Sequence, residues 1–356
     1  MNIEEILKTE PYSLNRKEKE SLFSSFLTDL SRYHYLNCEL YRKMMDGIGY
    51  NVNKNYSYVD LPFLPVQLFK SFELKSTANE NIVKTISSSG TSNQMKSLVF
   101  LDKENATNLT KVLTKIVSSF IGHKRVPMII LDSENIINDR INLSARSAGV
   151  SGFSIFGYKR IYALNEKMEL DIELLQTFIK EHKKEQVFLF GFTYIVYKYF
   201  YKELLRLGIK LDLSNAILIH GGGWKKLEKE SLSVLDFKNK LKEVSSIRRV
   251  YDYYGMAEQT GSIYMECEFG HYHTSIFSDI IIRRALDFSI ANTGEEGIIQ
   301  VISLLPKSYP GHSLLTDDKG ILLGEDDCSC NRLGKYFKIT GRIKNVELRG
   351  CSNTYE

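Results

Sequence analysis

The sequence predicts an α/β fold with a β-rich C-terminal subregion. Short β-rich apolar runs alternate with amphipathic helical stretches after Gly90, and beyond Tyr264 the runs become shorter and richer in glycine and β-branched residues. Such alternation implies a largely parallel sheet covered by helices.

Taken in order, Leu22, Phe23, Phe26, Leu27, Leu30 and Tyr33 recur at three- and four-residue spacing behind Ser13 or Asn15, which predicts a capped amphipathic helix. Pro62 and Pro65 bracket a break before Val66 to Phe72, because proline lacks the amide donor that a helix interior needs. A short element or turn is expected there. Strands are expected at Leu98–Phe100, Val126–Leu131, Gln186–Phe190 and Ala216–His220, with helices at Lys103–Ile121, Leu170–His182 and Thr193–Leu207. Past Tyr264, strands are expected at Asp279–Arg284, Gly297–Ser303, Lys319–Leu323 and Lys335–Thr340. No internal repeat and no long linker interrupts the pattern.

Composition narrows the partners. The 356 residues carry 47 basic and 43 acidic side chains, and a net +4 is too mild for a nucleic-acid or membrane-surface footprint. Hydrophobic residues at 43% and charged ones at 25% exclude disordered and fibrous classes. Glu4, Glu5, Lys8 and Glu10 stand where a signal peptide would be apolar. Val187 to Phe200, the most apolar run, is broken by Gly191 and Lys198 and is shorter than the ~18 to 20 residues that span a bilayer. A cytoplasmic protein without membrane insertion is expected. Its five cysteines, an odd and sparse set, point to thiols, metal ligands or a nucleophile rather than disulfides.

Five stretches carry chemistry. Ser87, Ser88, Ser89, Gly90, Thr91 and Ser92 lead to Lys96, and the run reads as a solvated Ser/Gly turn or as a phosphate cradle. In the second reading Gly90 lets successive amides converge on an anion, hydroxyls add donors, and Lys96 supplies a point charge. The G-x-x-x-x-G-K-[ST] pattern is lacking, which excludes a P-loop of that type. Tyr253-Tyr254-Gly255-Met256-Ala257-Glu258 follows the β-rich Arg248–Asp252. An aromatic beside glycine can stack a purine and a nearby carboxylate can hold Mg²⁺; a core aromatic turn is the alternative. His220-Gly221-Gly222-Gly223-Trp224 ends an apolar run and also reads as a turn leading into a helix. Thr316-Asp317-Asp318-Lys319-Gly320 and Thr340-Gly341-Arg342-Ile343-Lys344 read individually as surface turns.

In that order, the five motifs resemble those of the adenylate-forming enzymes, the acyl- and aryl-CoA synthetase superfamily. Within it the chain is similar to LuxE-type acyl-protein synthetases, with phenylacetate-CoA ligases as more distant relatives. The resemblance covers most of the chain and is carried also by the segment Leu61 to Lys70, by Ser144-Ala145-Arg146, by His220 to Lys225, and by a terminus six residues past Gly350. It implies the large domain of an adenylate-forming enzyme, layered sheets and helices plus the β-rich C-terminal subregion. The small C-terminal domain, which carries a catalytic lysine in full-length CoA ligases, is expected to be essentially absent. The implied organisation is a helical N-terminal region over 1–80 packing on the core, an α/β nucleotide-binding core over 81–263, a β-rich subdomain over 264–342, and a hinge remnant with a tail over 343–356.

The resemblance also implies a reaction: ATP-dependent activation of a carboxylic, most naturally fatty, acid to an acyl-adenylate, then transfer to a thiol. Ser87 to Lys96 would meet the pyrophosphate portion, Gly221, Gly222, Gly223 and Tyr254 with Gly255 the adenine, Glu258 the Mg²⁺, and Asp318 with Arg342 the ribose. Lys96, Glu258 and Cys351 would be the catalytic set. LuxE-type synthetases are acylated on a cysteine close to the C-terminus, and Cys351 is the thiol that follows the Gly-Arg-x-Lys motif. A reductase that accepts acyl groups, or a carrier protein, would be the partner. A catalytically silent scaffold of the same fold, or an acyl- or aryl-CoA ligase completed by another chain, are the competing readings. One departure stands out: Ala257 occupies the usual threonine position of Tyr-Gly-x-Thr-Glu, so a hydroxyl that commonly contacts the α-phosphate is missing.

A structural zinc site is expected from Cys267, His273, Cys328 and Cys330, with His271 as a competing ligand, because tetrahedral zinc takes mixed sulfur and nitrogen sets. Phenylacetate-CoA ligases show a similar cysteine pair in this region. Free cysteines are the alternative.

Overall fold

The computed structural model describes residues 3–88, 96–137, 141–224 and 232–343. Of the two expected caps, Asn15 is the one used: its side-chain oxygen accepts from the Glu18 amide at 3.1 Å while the Glu18 carboxylate accepts from the Asn15 amide at 3.0 Å. This reciprocal pair satisfies two otherwise orphaned donors and starts helix Arg16–Asn37, which buries Phe23, Leu27 and Leu30.

Fifteen strands follow along the described residues. They are β1 (Leu64–Pro65), β2 (Ile82–Ser87), β3 (Leu98–Asp102), β4 (Val126–Ser133), β5 (Asn142–Ser144), β6 (Gly157–Leu164), β7 (Val187–Phe192) and β8 (Ala216–Gly221), then β9 (Arg249–Tyr254), β10 (Tyr264–Glu266), β11 (Tyr272–His273), β12 (Ser278–Arg283), β13 (Glu296–Ser303), β14 (Ser313–Glu325) and β15 (Lys335–Arg342). Twelve of them form one mixed sheet, in the order β12-β13-β14-β15-β11-β10-β9-β8-β7-β4-β6 with β1 beside β14. The strands from β6 to β9 are parallel, and from β9 to β12 each neighbouring pair is antiparallel. Strand direction therefore reverses at the β9–β10 seam.

The parallel half is the expected one, with both faces buried. Along β4, β7 and β8 the residues Met128, Ile130, Phe188, Phe190, Ile217 and Ile219 face one core, whereas Ile129, Leu131, Val187, Leu189, Ala216 and Leu218 face the other. Strands covered on both faces read as unbroken apolar runs, which is why these were visible in the sequence. Helices Ile172–Glu181 and Val234–Ser245 cover the second face through Leu175, Phe178, Phe237 and Leu241.

Three features differ from expectation. Leu98–Phe100, expected in the parallel sheet, lies in β3, which pairs antiparallel with β2 in a separate three-stranded sheet. Strand β6 was not anticipated, because as the sheet edge it exposes Tyr158, Lys159 and Arg160 and so breaks the apolar pattern. Within the expected helix Thr193–Leu207, Val196–Tyr201 widens to π-helical turns.

The antiparallel half is tied to the N-terminal segment. The Ile276 amide donates to Pro11 O at 2.8 Å, Leu333 N to Tyr12 O at 3.1 Å, and Val66 N to Leu315 O at 2.9 Å. Beneath these contacts Asp279 is buried with Lys335 Nζ at 2.9 Å, Lys19 Nζ at 3.5 Å and the Tyr58 hydroxyl at 2.8 Å. Among the described residues, no helix is long and apolar enough to cross a membrane.

Candidate active site

The carboxyl ends of parallel strands in an open α/β sheet are where ligands are received. Here β8 ends in Gly221 and β9 ends in Tyr254, and their register places Gly221 opposite Tyr253. The pairing explains the glycine. A Cβ on Gly221 would lie 2.3 Å from the Tyr253 ring, and Gly222 has φ +74°, a backbone region that side chains disfavour. Tyr253, to which the sequence assigned no separate role, stacks on Phe190 at 6.4 Å and fixes the end of β9 against the core.

On the other face of β9, Tyr254 donates its hydroxyl to Asp318 Oδ2 at 2.8 Å, and Asp318 Oδ1 lies 3.2 Å from Arg342 Nε. Asp318 on β14 and Arg342 on β15 are direct cross-strand partners. Three residues expected to meet one nucleotide are thus brought together from three strands. Thr316 explains the Thr-x-Asp spacing: its Oγ1 accepts from the Asp318 amide at 3.0 Å and donates to Ile299 O at 2.8 Å, so the hydroxyl holds the stretch of β14 that presents the carboxylate. Burial, reinforced by the Asp318 charge, pushes the Tyr254 hydroxyl well above its ordinary value, so it remains a donor. Gln67 donates to the neighbouring Asp317, which joins the Leu61 to Lys70 segment to the same corner.

Glu258 lies in a 3₁₀ turn, Ala257–Gln259, that packs against β3 and leaves it 7% exposed. β3 and β2 are the two arms that lead into the Ser/Gly run. Ser87 closes β2, and the Ser88 hydroxyl accepts from the Ser97 amide at 3.0 Å. Lys96 is exposed at the start of the second arm. Ser89, Gly90, Thr91 and Ser92 lie outside the described residues, as does Cys351. Beside Glu258 the Tyr309 hydroxyl is buried and, among the described residues, has no hydrogen-bond partner, and Gly311 leaves no room for a side chain, since a Cβ there would come 2.9 Å from Glu258 O. An oxygen ligand next to an orphaned hydroxyl fits a hydrated Mg²⁺, which keeps several waters and takes one or two carboxylates.

Two further groups border this end of the sheet. Arg146 grips the fully buried Asp132 at the end of β4 through two hydrogen bonds, Nε to Oδ2 at 2.8 Å and Nη2 to Oδ1 at 2.5 Å. Ser144 makes this possible by capping helix Ala145–Ser154, accepting from the Ser147 amide at 3.0 Å. Behind the glycines, the Thr193 hydroxyl meets His220 Nδ1 at 2.9 Å, His220 lies 3.5 Å from Asp252, and Tyr272 donates to Asp252 at 2.7 Å. Burial pushes Asp252 up to about 7, opposed by the Tyr272 bond and aided by Glu266; burial takes His220 down to about 3. The Ser-Ala-Arg run and the His-Gly-Gly-Gly run marked the places, but the acidic partners carry no sequence signal of their own: Asp132 lies near the end of the otherwise apolar β4, and Asp252 sits inside the mixed, Tyr-rich β9.

The expected metal ligands gather elsewhere. Cys267, His273, Cys328 and Cys330 converge at the opposite end of β10, β11 and β15.

A large α/β domain whose mixed sheet turns from parallel to antiparallel, with Tyr254, Asp318 and Arg342 gathered beside that seam, matches the adenylate-forming ligase fold. The same fold is seen in an open conformation of 2-hydroxyisobutyryl-CoA ligase in complex with 2-HIB-AMP and CoA, with a TM-score of 0.72 and 14% identity over 94% of this chain and 72% of that one. The chain belongs to the family "Acyl-protein synthetase, LuxE", whose model matches residues 2–356. It is similar to the long-chain-fatty-acid--luciferin-component ligases of Vibrio harveyi, 25% identical over 96% of this chain and 89% of that relative, and of Aliivibrio fischeri, 24% identical over 98% and 91%. The protein is accordingly an acyl-protein synthetase, a ligase that activates an acid and transfers it.

Proposed function

We propose that the chain activates a long-chain fatty acid with ATP and Mg²⁺, carries the acyl group as a thioester on its own Cys351, and delivers it to a partner reductase. The observation that carries the reading is the Tyr254–Asp318–Arg342 cluster, a donor, a carboxylate and a guanidinium around one corner. Asp318 suits ribose hydroxyls as an acceptor, and Arg342 offers a rigid fork of donors. The names of the two relatives supply the acid class.

In the first half-reaction a carboxylate oxygen of the acid bonds to the α-phosphorus, the α–β phosphoanhydride bond breaks, and pyrophosphate leaves. Catalysis here is chiefly positioning and charge stabilisation, with no side-chain nucleophile required. Bound Mg²⁺, held by Glu258, would neutralise phosphate charge. Lys96 would do the same from the Ser/Gly run. In the second half-reaction the Cys351 thiolate attacks the acyl carbonyl and AMP leaves.

Pyrophosphate release measured across fatty acids of increasing length tests the first half. Release with no acid in the series overturns the assignment to acid activation, and a preference for short acids overturns the chain-length claim. Cys351→Ser should keep pyrophosphate release and lose hydroxylamine-sensitive acyl label; persistence of label on this variant makes another thiol the acceptor.

A further inference from the structure

The central sheet has a weak link. Strand β11 contributes two residues, Tyr272 and His273, yet it is the strand that joins β10 to β15 and so connects the parallel half to the five strands beyond, β15, β14, β13, β12 and β1. Its ladder is correspondingly short, with Met265 opposite His273 and Glu266 opposite Tyr272 on one side, and Phe337 and Tyr336 on the other. So few pairings leave register weakly specified. Register here has a consequence: Tyr254 is anchored through its pairing with Tyr264 of β10, whereas Asp318 and Arg342 are carried by β14 and β15 on the far side of β11.

At this link three thiols and one imidazole meet. One ligand atom from each of Cys267, His273, Cys328 and Cys330 lies within 4.8 Å of all the others, and His273 Nε2 is 3.3 Å from Cys330 Sγ. Bonds of about 2.3 Å to sulfur and about 2.0 Å to nitrogen in a tetrahedron require separations of roughly 3.5 to 3.8 Å, close to what is present. Cys267 and His273 are fully buried and Cys328 is 6% exposed. The local backbone is built for the purpose, with the Cys267 amide on His271 O at 2.8 Å, the Gly270 amide on Cys267 O at 2.9 Å, and the Asn331 amide on Cys328 O at 2.9 Å. These close two tight turns facing each other. The Tyr336 ring stacks on His273 at 5.7 Å and orients it. Three thiolates and a dication leave one negative charge, and the Arg332 guanidinium, which bonds Glu268 at 2.9 Å and reaches Cys330, supplies the countercharge.

We propose that Cys267, His273, Cys328 and Cys330 bind one zinc ion that clamps the β10–β11 turn to the β14–β15 turn and thereby sets the register between Tyr254 and the Asp318–Arg342 pair. Four protein ligands close the site, so its role is structural. His271 reaches Cys328 at 3.4 Å but stands outside the four-atom group, and it is not a ligand.

Full-length protein purified without added metal should contain about one zinc per chain by elemental analysis, and cobalt exchanged into it should show thiolate charge-transfer absorption with tetrahedral d–d bands. Cys330→Ser should lose most of the metal, and His271→Ala should keep it. Chelation should lower the melting temperature of the unmodified chain and not that of Cys330→Ser. Zinc near zero together with no cobalt spectrum in the unmodified chain overturns the site, without reliance on any variant folding. Loss of metal in His271→Ala with retention in His273→Ala overturns the choice of imidazole.

Discussion

In the parallel half of the central sheet, β4, β7 and β8 are buried on both faces in hydrocarbon, with Ile129, Phe188, Phe190, Leu218 and Ile219 fully enclosed. In the antiparallel half the enclosed groups include Asp279, shared by Lys19, Lys335 and Tyr58, and the polar pair Arg283 and Gln300. Apolar contacts are non-directional and fix which strands are inside. Charged hydrogen bonds are directional and fix where along a strand a residue sits. The two halves meet at β9 and β10, so the Tyr254–Asp318–Arg342 corner, built from both, inherits strand order from one and register from the other.

The largest effect expected from this contrast is on stability. Asp279→Ala leaves Lys19 and Lys335 buried without their carboxylate, and should cost about 3 to 5 kcal/mol in urea unfolding. Leu218→Ala, a cavity in the parallel half, should cost about 2 to 5 kcal/mol by a different mechanism. Acid separates them. Burial alone would raise the Asp279 carboxyl, but Lys19 and Lys335 outweigh it and hold it below the usual carboxylate range. Lys19 itself is lowered, since burial outweighs what Asp279 returns. A carboxyl depressed on folding contributes stability above its unfolded value and loses it as pH falls through the folded value, a window below about pH 4. The deficit of Asp279→Ala should therefore shrink from pH 5 toward pH 3, and that of Leu218→Ala should stay level. Equal pH behaviour in the two variants would break the comparison.

A smaller effect is expected at the seam. In Gly221→Ala the new methyl would sit 2.3 Å from the Tyr253 ring, which is packed on Phe190 and would have to shift. Overpacking of this kind costs about 1 to 3 kcal/mol, and displacement of the end of β9 should weaken ATP binding with it. Gly223→Ala is the control, because among the described residues nothing lies within 4 Å of a Cβ there, and it should stay within about 0.5 kcal/mol. If calorimetry finds the two alanines equivalent, the close approach at β8–β9 is not what the glycine is for.

The same contrast explains what could be read from the sequence. Helix Lys103–Ile121 and strands β4, β7 and β8 were legible because burial on one or both faces writes a periodic or continuous apolar pattern. Strand β6, an edge, and β11, two residues long, write none. Within the site, Tyr254, Glu258, Asp318 and Arg342 were visible as motif residues, yet their meeting was not. Asp318 faces Arg342 by a register that includes irregularities on both sides of Gly320, and Lys19 finds Asp279 across 260 residues. Such pairings belong to topology and leave no local trace. Asp132 was missed for the converse reason: a single carboxylate ending an apolar strand looks like the start of a loop until Arg146 is seen to hold it.

The smallest effect concerns Arg342, where register and exposure pull in opposite directions. Its partner Asp318 is mostly enclosed, with 18% of the side chain exposed, whereas Arg342 is 74% exposed. An ion pair open to solvent on one side gains little, about 1 kcal/mol or less, and is screened by salt. Arg342→Ala should thus leave unfolding within about 0.5 kcal/mol of the unmodified chain and weaken ATP binding by about a factor of five at most, less in high salt. Arg342→Lys restores the charge without the planar fork and should recover only part of that loss. Asp318→Ala is the sharper cut, because it leaves the buried Tyr254 hydroxyl without its acceptor at 2.8 Å. An unsatisfied buried donor costs about 1 to 3 kcal/mol, so this variant should lose both stability and affinity. Isothermal titration with ATP at two salt concentrations, beside urea unfolding, distinguishes the pair. An Arg342→Ala loss as large as that of Asp318→Ala, and insensitive to salt, would mean that the guanidinium is enclosed when nucleotide is bound, and the division between a buried anchor and an exposed clamp would fail.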